Sequence, residues 1–263
     1  MSSPAIQVQD LTAQYANQVI LKGINMSIER GEILTILGPS GCGKTTLLKH
    51  MIGLLKPTKG KVILNGMELS ELDEVQLEES RQDIGVLFQG GALFGSMTVE
   101  ENVAMPLVEH LGMELKLAKR IAQIKLSLVQ MQHAAELFPA ELSGGMRKRA
   151  ALARAIALDP SILFCDEPSA GLDPITSLEL DKLLLNLNDL LGMTIVVVTH
   201  ELQSIFTIAQ RAVMLDRGRI IAMGSMDELM ASTNERVVNF LNRKSYERIG
   251  TKESWVDAAL VNG

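Results

Sequence analysis

The stretch Gly38-Pro39-Ser40-Gly41-Cys42-Gly43-Lys44-Thr45 decides the fold of this 263-residue chain. A compact apolar run, Glu32 to Leu37, precedes it, and a stretch with helical character, Lys44 to Ile52, follows it. Strand, glycine loop and helix in this order are typical of a phosphate-binding loop, because glycines let backbone N–H groups curl around an anion at a helix N-terminus. The alternative is a plain glycine turn before a helix. The eight-position pattern in this context favours the phosphate loop.

The last two positions of the loop predict its ligands. In P-loop NTPases a lysine reaches the β- and γ-phosphates and a neighbouring hydroxyl ligates Mg²⁺. We therefore expect Lys44 to bind the phosphates and Thr45 to bind Mg²⁺, so that ATP and Mg²⁺ are the predicted ligands. Cys42 is interpreted as a small residue that the loop accepts.

Two adjacent acids end a second apolar run, Leu163-Phe164-Cys165-Asp166-Glu167-Pro168. Leaving two charges at the end of a buried strand without a cation is costly, and Mg²⁺ accounts for both. Asp166 is then expected to hold the metal and Glu167 to act as the general base on the attacking water. The alternative is an acidic helix N-cap.

The rest of the chain predicts an α/β fold. The first thirty residues indicate short strands, at Ile6 to Val8, Val19 to Ile24 and Met26 to Ile28. After Ala150, helices alternate with apolar runs that show no period of two, as in a parallel sheet covered by helices on both faces. Residues 98–129 have helical spacing and predict a helical insertion. The acidic residues 68–79 are interpreted as a solvated segment.

Composition limits the choice of partners and compartment. A net charge of −6 and a pI near 5.3 argue against a general nucleic-acid or acidic-membrane surface. Cys42 and Cys165 show no metal-binding spacing and are interpreted as reduced thiols. The first residues lack an export signal, and no apolar run reaches the roughly 20 residues of a membrane helix.

A third motif, Leu142-Ser143-Gly144-Gly145-Met146, precedes a basic helical turn. Ser143 is a good N-cap, and the glycines beside it expose further N–H groups, so the motif predicts a second anion site. Taken alone, an ordinary helix cap explains it equally.

The order of motifs resembles the nucleotide-binding subunits of ABC transporters over residues 5–228. The fold implied is an ABC ATPase with a small N-terminal antiparallel β subdomain, a mostly parallel core sheet flanked by helices, and a helical subdomain. The six motifs are the phosphate loop, Gln89, Ser143-Gly144-Gly145, Asp166-Glu167, Ser169 to Asp173, and Thr199-His200.

The resemblance implies that two copies sandwich two ATP molecules, with Ser143 to Gly145 of one copy facing the γ-phosphate held by Lys44 of the other. The remaining implied roles are nucleotide contacts through Gly38 to Thr46, Tyr15 stacking on adenine, Gln89 sensing Mg²⁺ and the transport subunit, Asp173 bridging the two sites, and His200 contacting the γ-phosphate. For Tyr15 a half-buried strand residue is the alternative, and for His200 a helix cap. Met146 departs from the glutamine usual in the family.

A finer resemblance links Leu87 to Phe94, Met97 to Val103 and Gly145 to Leu152 with the ATPases of Mla-type lipid transporters, where Met146 is a family trait. It implies a complex that moves phospholipid between the inner and outer membranes and maintains outer-membrane lipid asymmetry. The implied partners are a second copy of the chain, a permease, an MCE-domain protein and a small STAS-type subunit, with no nucleic acid. The chain would be peripheral, on the cytoplasmic face of the inner membrane.

We divide the chain into an ABC ATPase domain at 1–228, with a helical subdomain at about 96–158 inserted, and a C-terminal extension at 229–263 that holds Trp255. The extension is predicted to favour dimerisation. The surface from Gln89 to Phe94 is predicted to pass motion to the permease, burial in the helical insertion being the alternative.

Two other functions stay open on the sequence alone. The first is the ATPase of another ABC importer or exporter for a small solute. The second is a non-transport ABC protein acting on DNA or ribosomes, against which the acidic pI and the single nucleotide domain argue.

Overall fold

A computed structural model describes residues 3–16 and 18–242 of the chain, so Trp255 and the other residues of 243–263 lie outside the described part. Its elements, in chain order, are β1 (Ile6–Tyr15), β2 (Gln18–Ile28), β3 (Ile33–Leu37), α1 (Lys44–Met51), β4 (Lys59–Leu64), β5 (Met67–Glu68), α2 (Glu74–Gln82), β6 (Ile84–Leu87), α3 (Val99–Leu111), α4 (Leu115–Leu128), α5 (Gly144–Ala155), β7 (Ile162–Asp166), α6 (Pro174–Leu191), β8 (Thr194–Val198), α7 (Leu202–Ile208), β9 (Arg211–Asp216), β10 (Arg219–Gly224) and α8 (Met226–Met230).

The core sheet has six strands in the order β10-β9-β3-β8-β7-β6, and only β10 runs antiparallel to its neighbour. Every residue of β3, β7 and β8 is buried. Helices cover both faces, which is why these strands show apolar runs without alternation. The predicted α/β class with a mostly parallel core sheet is confirmed.

The second sheet is antiparallel, with strands in the order β2-β1-β4-β5. Two long strands stand where the sequence indicates several short ones. Irregular register between β1 and β2 lets the strands continue through Asp10 and Gly23, which both adopt positive φ. Bulges of this kind bend a strand at polar residues without ending it.

The helical insertion consists of α3, α4 and α5, which pack on one face of the core sheet. Its first part is two helices, because Gly112 ends α3 with φ 61° and caps it in the left-handed conformation. The N-terminus of α3 has a capping box formed by Thr98 and Glu101.

The acidic segment 68–79 is more ordered than a solvated loop. It contains the start of α2, whose N-cap Asp73 forms a capping box with Gln76. The helix exposes most of its surface, so the charges that suggest solvation lie on its outer face.

The hairpin of β9 and β10 was not predicted, and it extends the core sheet past β3. Against it packs a small apolar cluster that includes Leu229, Val237 and Leu241, all buried. Residues 235–242 are helical, and the predicted boundary at 228 falls within α8. Over the described residues, no helix has both the length and the apolarity needed to cross a membrane.

Candidate active site

The candidate site lies where the neighbouring strands β3, β8, β7 and β6 reach their carboxyl ends. The loop 38–43 follows β3, His200 comes after β8, Asp166 ends β7 and Glu167 follows it, and Gln89 comes after β6. Parallel strands place their carboxyl ends at one edge of the sheet, so motifs far apart in sequence meet there. The resulting cleft of about 460 Å³ is lined by Ile20, Ser40, Gly41, Gly43, Lys44, Thr45, Thr46, Gln89, Glu167 and His200.

The glycine loop needs its glycines for shape. Gly38 has φ 148°, and a Cβ there would lie 2.2 Å from the carbonyl oxygen of Leu215. Gly43, the N-cap of α1, is in the left-handed region and forms no side-chain cap. The first N–H groups of α1 are therefore left to an anion, together with the positive end of the helix dipole.

Lys44 is buried at the base of this loop. Its Nζ donates hydrogen bonds to the carbonyl oxygens of Gly38, at 2.8 Å, and Pro39, at 3.1 Å. The ammonium is thus held inside the curl of backbone that would surround a phosphate chain, which is the position expected of a lysine that binds phosphate.

Asp166 and Thr45 are in direct contact. The Thr45 hydroxyl donates to Oδ1 of Asp166 over 3.2 Å. Burial raises the pKa of Asp166, the Thr45 hydroxyl acts in the opposite direction, and the charge of Glu167 raises the pKa further. A carboxylate held this way gains most from a nearby cation.

Glu167 has an unusual backbone and an asymmetric carboxylate. Its φ is 49°, in the left-handed region that costs a non-glycine residue about 1–2 kcal/mol. Its N–H donates to the carbonyl oxygen of Val198 over 2.8 Å, which holds this conformation. Oε1 lies 2.8 Å from Nδ1 of His200, whereas Oε2 is buried without a hydrogen-bond partner among the described residues.

The donors around Thr45 fit Mg²⁺ only if a nucleotide contributes as well. Within residues 3–16 and 18–242, no group of three or more His, Cys, Asp or Glu side chains could hold a metal ion. One hydroxyl and one carboxylate in contact, with a second acid adjacent, are hard oxygen ligands of the kind Mg²⁺ takes beside phosphate oxygens.

Several predicted site residues do not line the cleft, namely Tyr15, Gly38, Pro39, Cys42, Ser143, Gly144, Gly145, Met146, Asp166 and Asp173. Tyr15, at the end of β1, is 46% exposed. Ser143 is exposed at the start of α5. Asp173 caps α6, where its carboxylate accepts hydrogen bonds from the backbone N–H groups of Ile175 and Thr176. The hydrogen bond from the Thr176 hydroxyl and these two backbone bonds lower the pKa of Asp173.

The glycine-rich turn before α5 is confirmed as a helix cap, since Ser143 Oγ accepts from the N–H of Met146. Gly145 is required by packing, because a Cβ there would lie 2.5 Å from Cγ2 of Thr176 on α6. The Met146 side chain packs against the apolar cluster of the helical insertion. The methionine therefore serves the core.

Sequence reasoning missed Ile20 as a cleft residue and Lys148 as a buried cation next to the site. Lys148 stands between Arg147 and Arg149, and the sequence indicates only a basic helical turn. No local signal distinguishes the lysine that points inward.

Comparison with known proteins agrees with the family that the motifs indicate. A family model described as ABC transporter matches residues 21–170. The chain belongs to the ABC transporter family. This ABC transporter ATPase is 41% identical to the intermembrane phospholipid transport system ATP-binding protein MlaF of Haemophilus influenzae, over 93% of each chain. It is 40% identical to a probable ribonucleotide transport ATP-binding protein, mkl, of Mycobacterium bovis, over 98% of this chain and 72% of that one.

Solved structures agree with the fold of this ABC transporter ATPase. The dimeric ATP-binding cassette MJ0796 in a post-hydrolysis state bound to ADP and Pi superimposes with a TM-score of 0.78 at 33% identity. That match covers 84% of this chain and 98% of MJ0796. The predicted family and the ATPase class are confirmed.

Proposed function

We propose that this chain powers the transport of phospholipid between two membranes as the ATPase subunit of an ABC transporter. The observation that carries the proposal is the 41% identity with the MlaF protein of Haemophilus influenzae along 93% of both chains. An alignment of this length includes the segments around Gln89 and Met146 as well as the nucleotide site.

The proposed chemistry assigns one task to each side of the cleft. Lys44 and the N–H groups of the loop 38–46 bind the phosphates of ATP. Glu167 accepts a proton from the attacking water through Oε2, which has no hydrogen-bond partner in the described residues, while His200 orients the carboxylate through Oε1. When Mg²⁺ is bound, it neutralises charge that develops on the phosphates, and Thr45, Asp166 and Gln89 are its proposed protein partners.

A complete site is proposed to need a second copy of the chain. Ser143, Gly144 and Gly145 do not line the cleft of their own chain, and Ser143 is exposed. A helix N-terminus with an exposed serine is suited to the γ-phosphate of ATP held elsewhere. The cassette MJ0796 was solved as a dimer. Asp173 and the adenine-stacking residue Tyr15 complete the proposed arrangement.

Mixed dimers test this arrangement in trans. Lys44→Ala removes the phosphate lysine, and Ser143→Asp keeps a capping acceptor but places a negative charge toward phosphate. Each homodimer is expected to be inactive. The mixed dimer, isolated with two different tags, has one site with both residues intact and should regain a substantial part of one site's turnover. An inactive mixed dimer would mean that each chain completes its own site.

The surface proposed to contact the permease lies beside the cleft. Phe94 is 44% exposed, and the guanidinium of Arg154 lies 5.6 Å from its ring centroid. Buried Asn102 holds the backbone on both sides, bonding the N–H and carbonyl of Phe94 and the carbonyl of Met97. Partial exposure of an aromatic ring on a fixed loop suits a docking surface better than burial in the helical insertion.

A groove of about 570 Å³ continues this surface. It is lined by Glu78, Arg81, Gln82, Ile84, Gly85, Val86, Pro106, His110, Arg154, Ala155 and Leu158, along the edge strand β6. If a partner segment bound in this groove moved, β6 could transmit the displacement to Gln89, which lies two residues past the end of that strand. We propose a cytoplasmic loop of an integral-membrane permease as the occupant, which places the chain on the cytoplasmic face of the inner membrane.

Further partners follow from the same proposal. An MCE-domain protein would carry lipid, and a small STAS-type subunit would dock on the helical subdomain at about 96–158. The ATPase domain would end near residue 228, with the extension 229–263 favouring dimerisation. Deletion after Phe240 with no change in dimer mass or ATPase activity would contradict the role of the extension.

Purification of the complex from native membranes tests the cargo. Mass spectrometry of a tagged chain should identify a permease, an MCE-domain protein and bound phospholipid. A complex that instead contains a solute-binding partner and responds to ribonucleotides, as the name of the Mycobacterium bovis relative would suggest, would refute phospholipid as the cargo. Phe94→Ala should weaken permease binding and lipid-stimulated ATPase activity, with the exposed Phe206→Ala as a matched control.

A further inference from the structure

Lys148 is a buried cation whose contacts converge on two loops of the cleft. It lies in the second turn of α5 and is 6% exposed. Its Nζ donates to the backbone carbonyl oxygen of Gln89 in a short hydrogen bond and to that of Glu167 over 3.3 Å. These carbonyls lie 59 and 19 residues away in sequence. One ammonium therefore joins α5 to both loops.

The loop after Gln89 rests along the same face of α5. Gly91 packs so that a Cβ there would lie 3.4 Å from Cβ of Ala151. Arg154 donates to the carbonyl oxygens of Ala92, at 2.8 Å, and Gly91, at 3.1 Å. Lys148, Ala151 and Arg154 follow at intervals of three residues, which places them on one stripe of the helix. The loop is held at both ends by cations of a single helix.

Glu167 needs such support because its backbone is strained. Its φ of 49° persists only if surrounding contacts hold it. The N–H bonds to Val198 on one side, and the carbonyl accepts from Lys148 on the other. Both peptide groups that flank the Glu167 side chain are thus fixed. Burial lowers the pKa of Lys148, and the negative charges of Glu167 and Asp166 oppose that effect.

We infer that Lys148 is a positioning residue for ATP hydrolysis, holding the backbone of Glu167 and of Gln89 in register with the helix that carries Ser143 to Gly145. Its contacts are with carbonyl groups, so it acts through Glu167 and Gln89. The expected consequence is control of the chemical step, with little effect on ATP binding, because Lys148 does not line the cleft. The inference rests on the proposed role of Glu167 as the base.

Steady-state kinetics of Lys148→Met test this inference. Methionine keeps most of the stem but removes the donors, and misplacement of a catalytic group can cost up to about 100-fold in rate. We expect kcat to fall by about 10- to 100-fold and KM for ATP to change by less than about twofold. Turnover is counted per ATP-binding site measured by equilibrium binding, so misfolded protein does not enter the comparison.

Two further variants make the result specific. Lys125→Met is the matched control, because Lys125 is equally buried in the helical insertion but pairs with Asp159, away from the cleft. Lys148→Arg restores donors and charge and should recover part of kcat. If Lys148→Met keeps kcat within twofold, or if Lys125→Met loses kcat equally, the inference is wrong. Normal turnover in Glu167→Gln would instead refute the role of Glu167 as the general base. This variant therefore distinguishes a failure of the proposed base from a failure of the inference about Lys148.

Discussion

Nδ1 of His200 lies 2.8 Å from Oε1 of Glu167, although 33 residues separate them in sequence. The pair forms because β7 and β8 are adjacent parallel strands whose carboxyl ends face the same cleft. An ionised carboxylate can only accept, so Nδ1 then carries the proton. One oxygen of Glu167 is committed to this contact, and the other has no partner among the described residues.

Replacing Glu167 by glutamine should abolish hydrolysis while ATP binding persists. The amide keeps the shape of the side chain but cannot accept a proton from water, and a general base typically contributes about 10²–10⁴-fold to the rate. We expect kcat to fall by at least about 100-fold. Single-turnover hydrolysis and equilibrium ATP binding measure the two effects separately.

Glu109→Gln is the control for that experiment, since Glu109 is exposed on α3 and belongs to no motif. Its kcat should match that of the unmodified chain. Full turnover in the Glu167 variant would overturn the assignment of the base.

Replacing His200 by alanine should reduce kcat by about tenfold or more, because the loss of one orienting hydrogen bond to a charged group is worth roughly 1.5–3 kcal/mol. The side chain of His200 is 47% exposed, so the fold should tolerate the change. Thermal unfolding and the pH dependence of kcat should be recorded together. An unchanged kcat would show that Glu167 is oriented by its backbone alone.

Alanine at Gly38 should destabilise the chain more than alanine at Gly41. Both positions have positive φ, so both pay the backbone cost of about 1–2 kcal/mol. Only at Gly38 would the new Cβ also meet a backbone oxygen, at 2.2 Å, whereas nothing lies within 4 Å at Gly41. The extra loss at Gly38 should be about 1–3 kcal/mol. Urea unfolding without nucleotide compares the two, and equal losses would contradict the described loop geometry.

Asp181 predicts a dependence of stability on pH. It is 1% exposed on α6, and neither carboxylate oxygen has a hydrogen-bond partner among the described residues. Burial raises its pKa to about 6, only partly offset by the nearby Ser204 hydroxyl. Below the unfolded pKa of about 3.9, an acid with a raised folded-state pKa is protonated in both states, so its burial carries no charge penalty. As pH rises through about 6, the acid ionises in the folded state as well, and the free energy of unfolding has then fallen by the full penalty.

Asp181→Asn should therefore stabilise the fold by about 1–3 kcal/mol at pH 7.5. The gain should shrink as pH falls below about 6 and approach zero only below the unfolded pKa of about 3.9. Urea unfolding of both chains at several pH values measures it. The exposed Asp189→Asn on the same helix is the control and should show no such trend. A gain that does not vary with pH would show that Asp181 does not titrate as described.

The sequence by itself determined the local chemistry. A glycine loop between an apolar strand and a helix can form only a few conformations, so the pattern from Gly38 to Thr45 indicates its ligand without knowledge of the fold. The pair of acids at the end of β7 and the cap at Ser143 are also local, and each was predicted with its motif. Apolar runs without alternation were enough to predict the parallel sheet.

Only the tertiary structure decided which of these motifs touch. The contact of Glu167 with His200 depends on the strand order of the core sheet, and the position of Tyr15 outside the cleft depends on the second sheet. The inward direction of Lys148 depends on packing of α5 against the loop of Gln89. Such contacts join residues far apart in sequence, and neither spacing nor charge pattern along one helix records what covers each side chain.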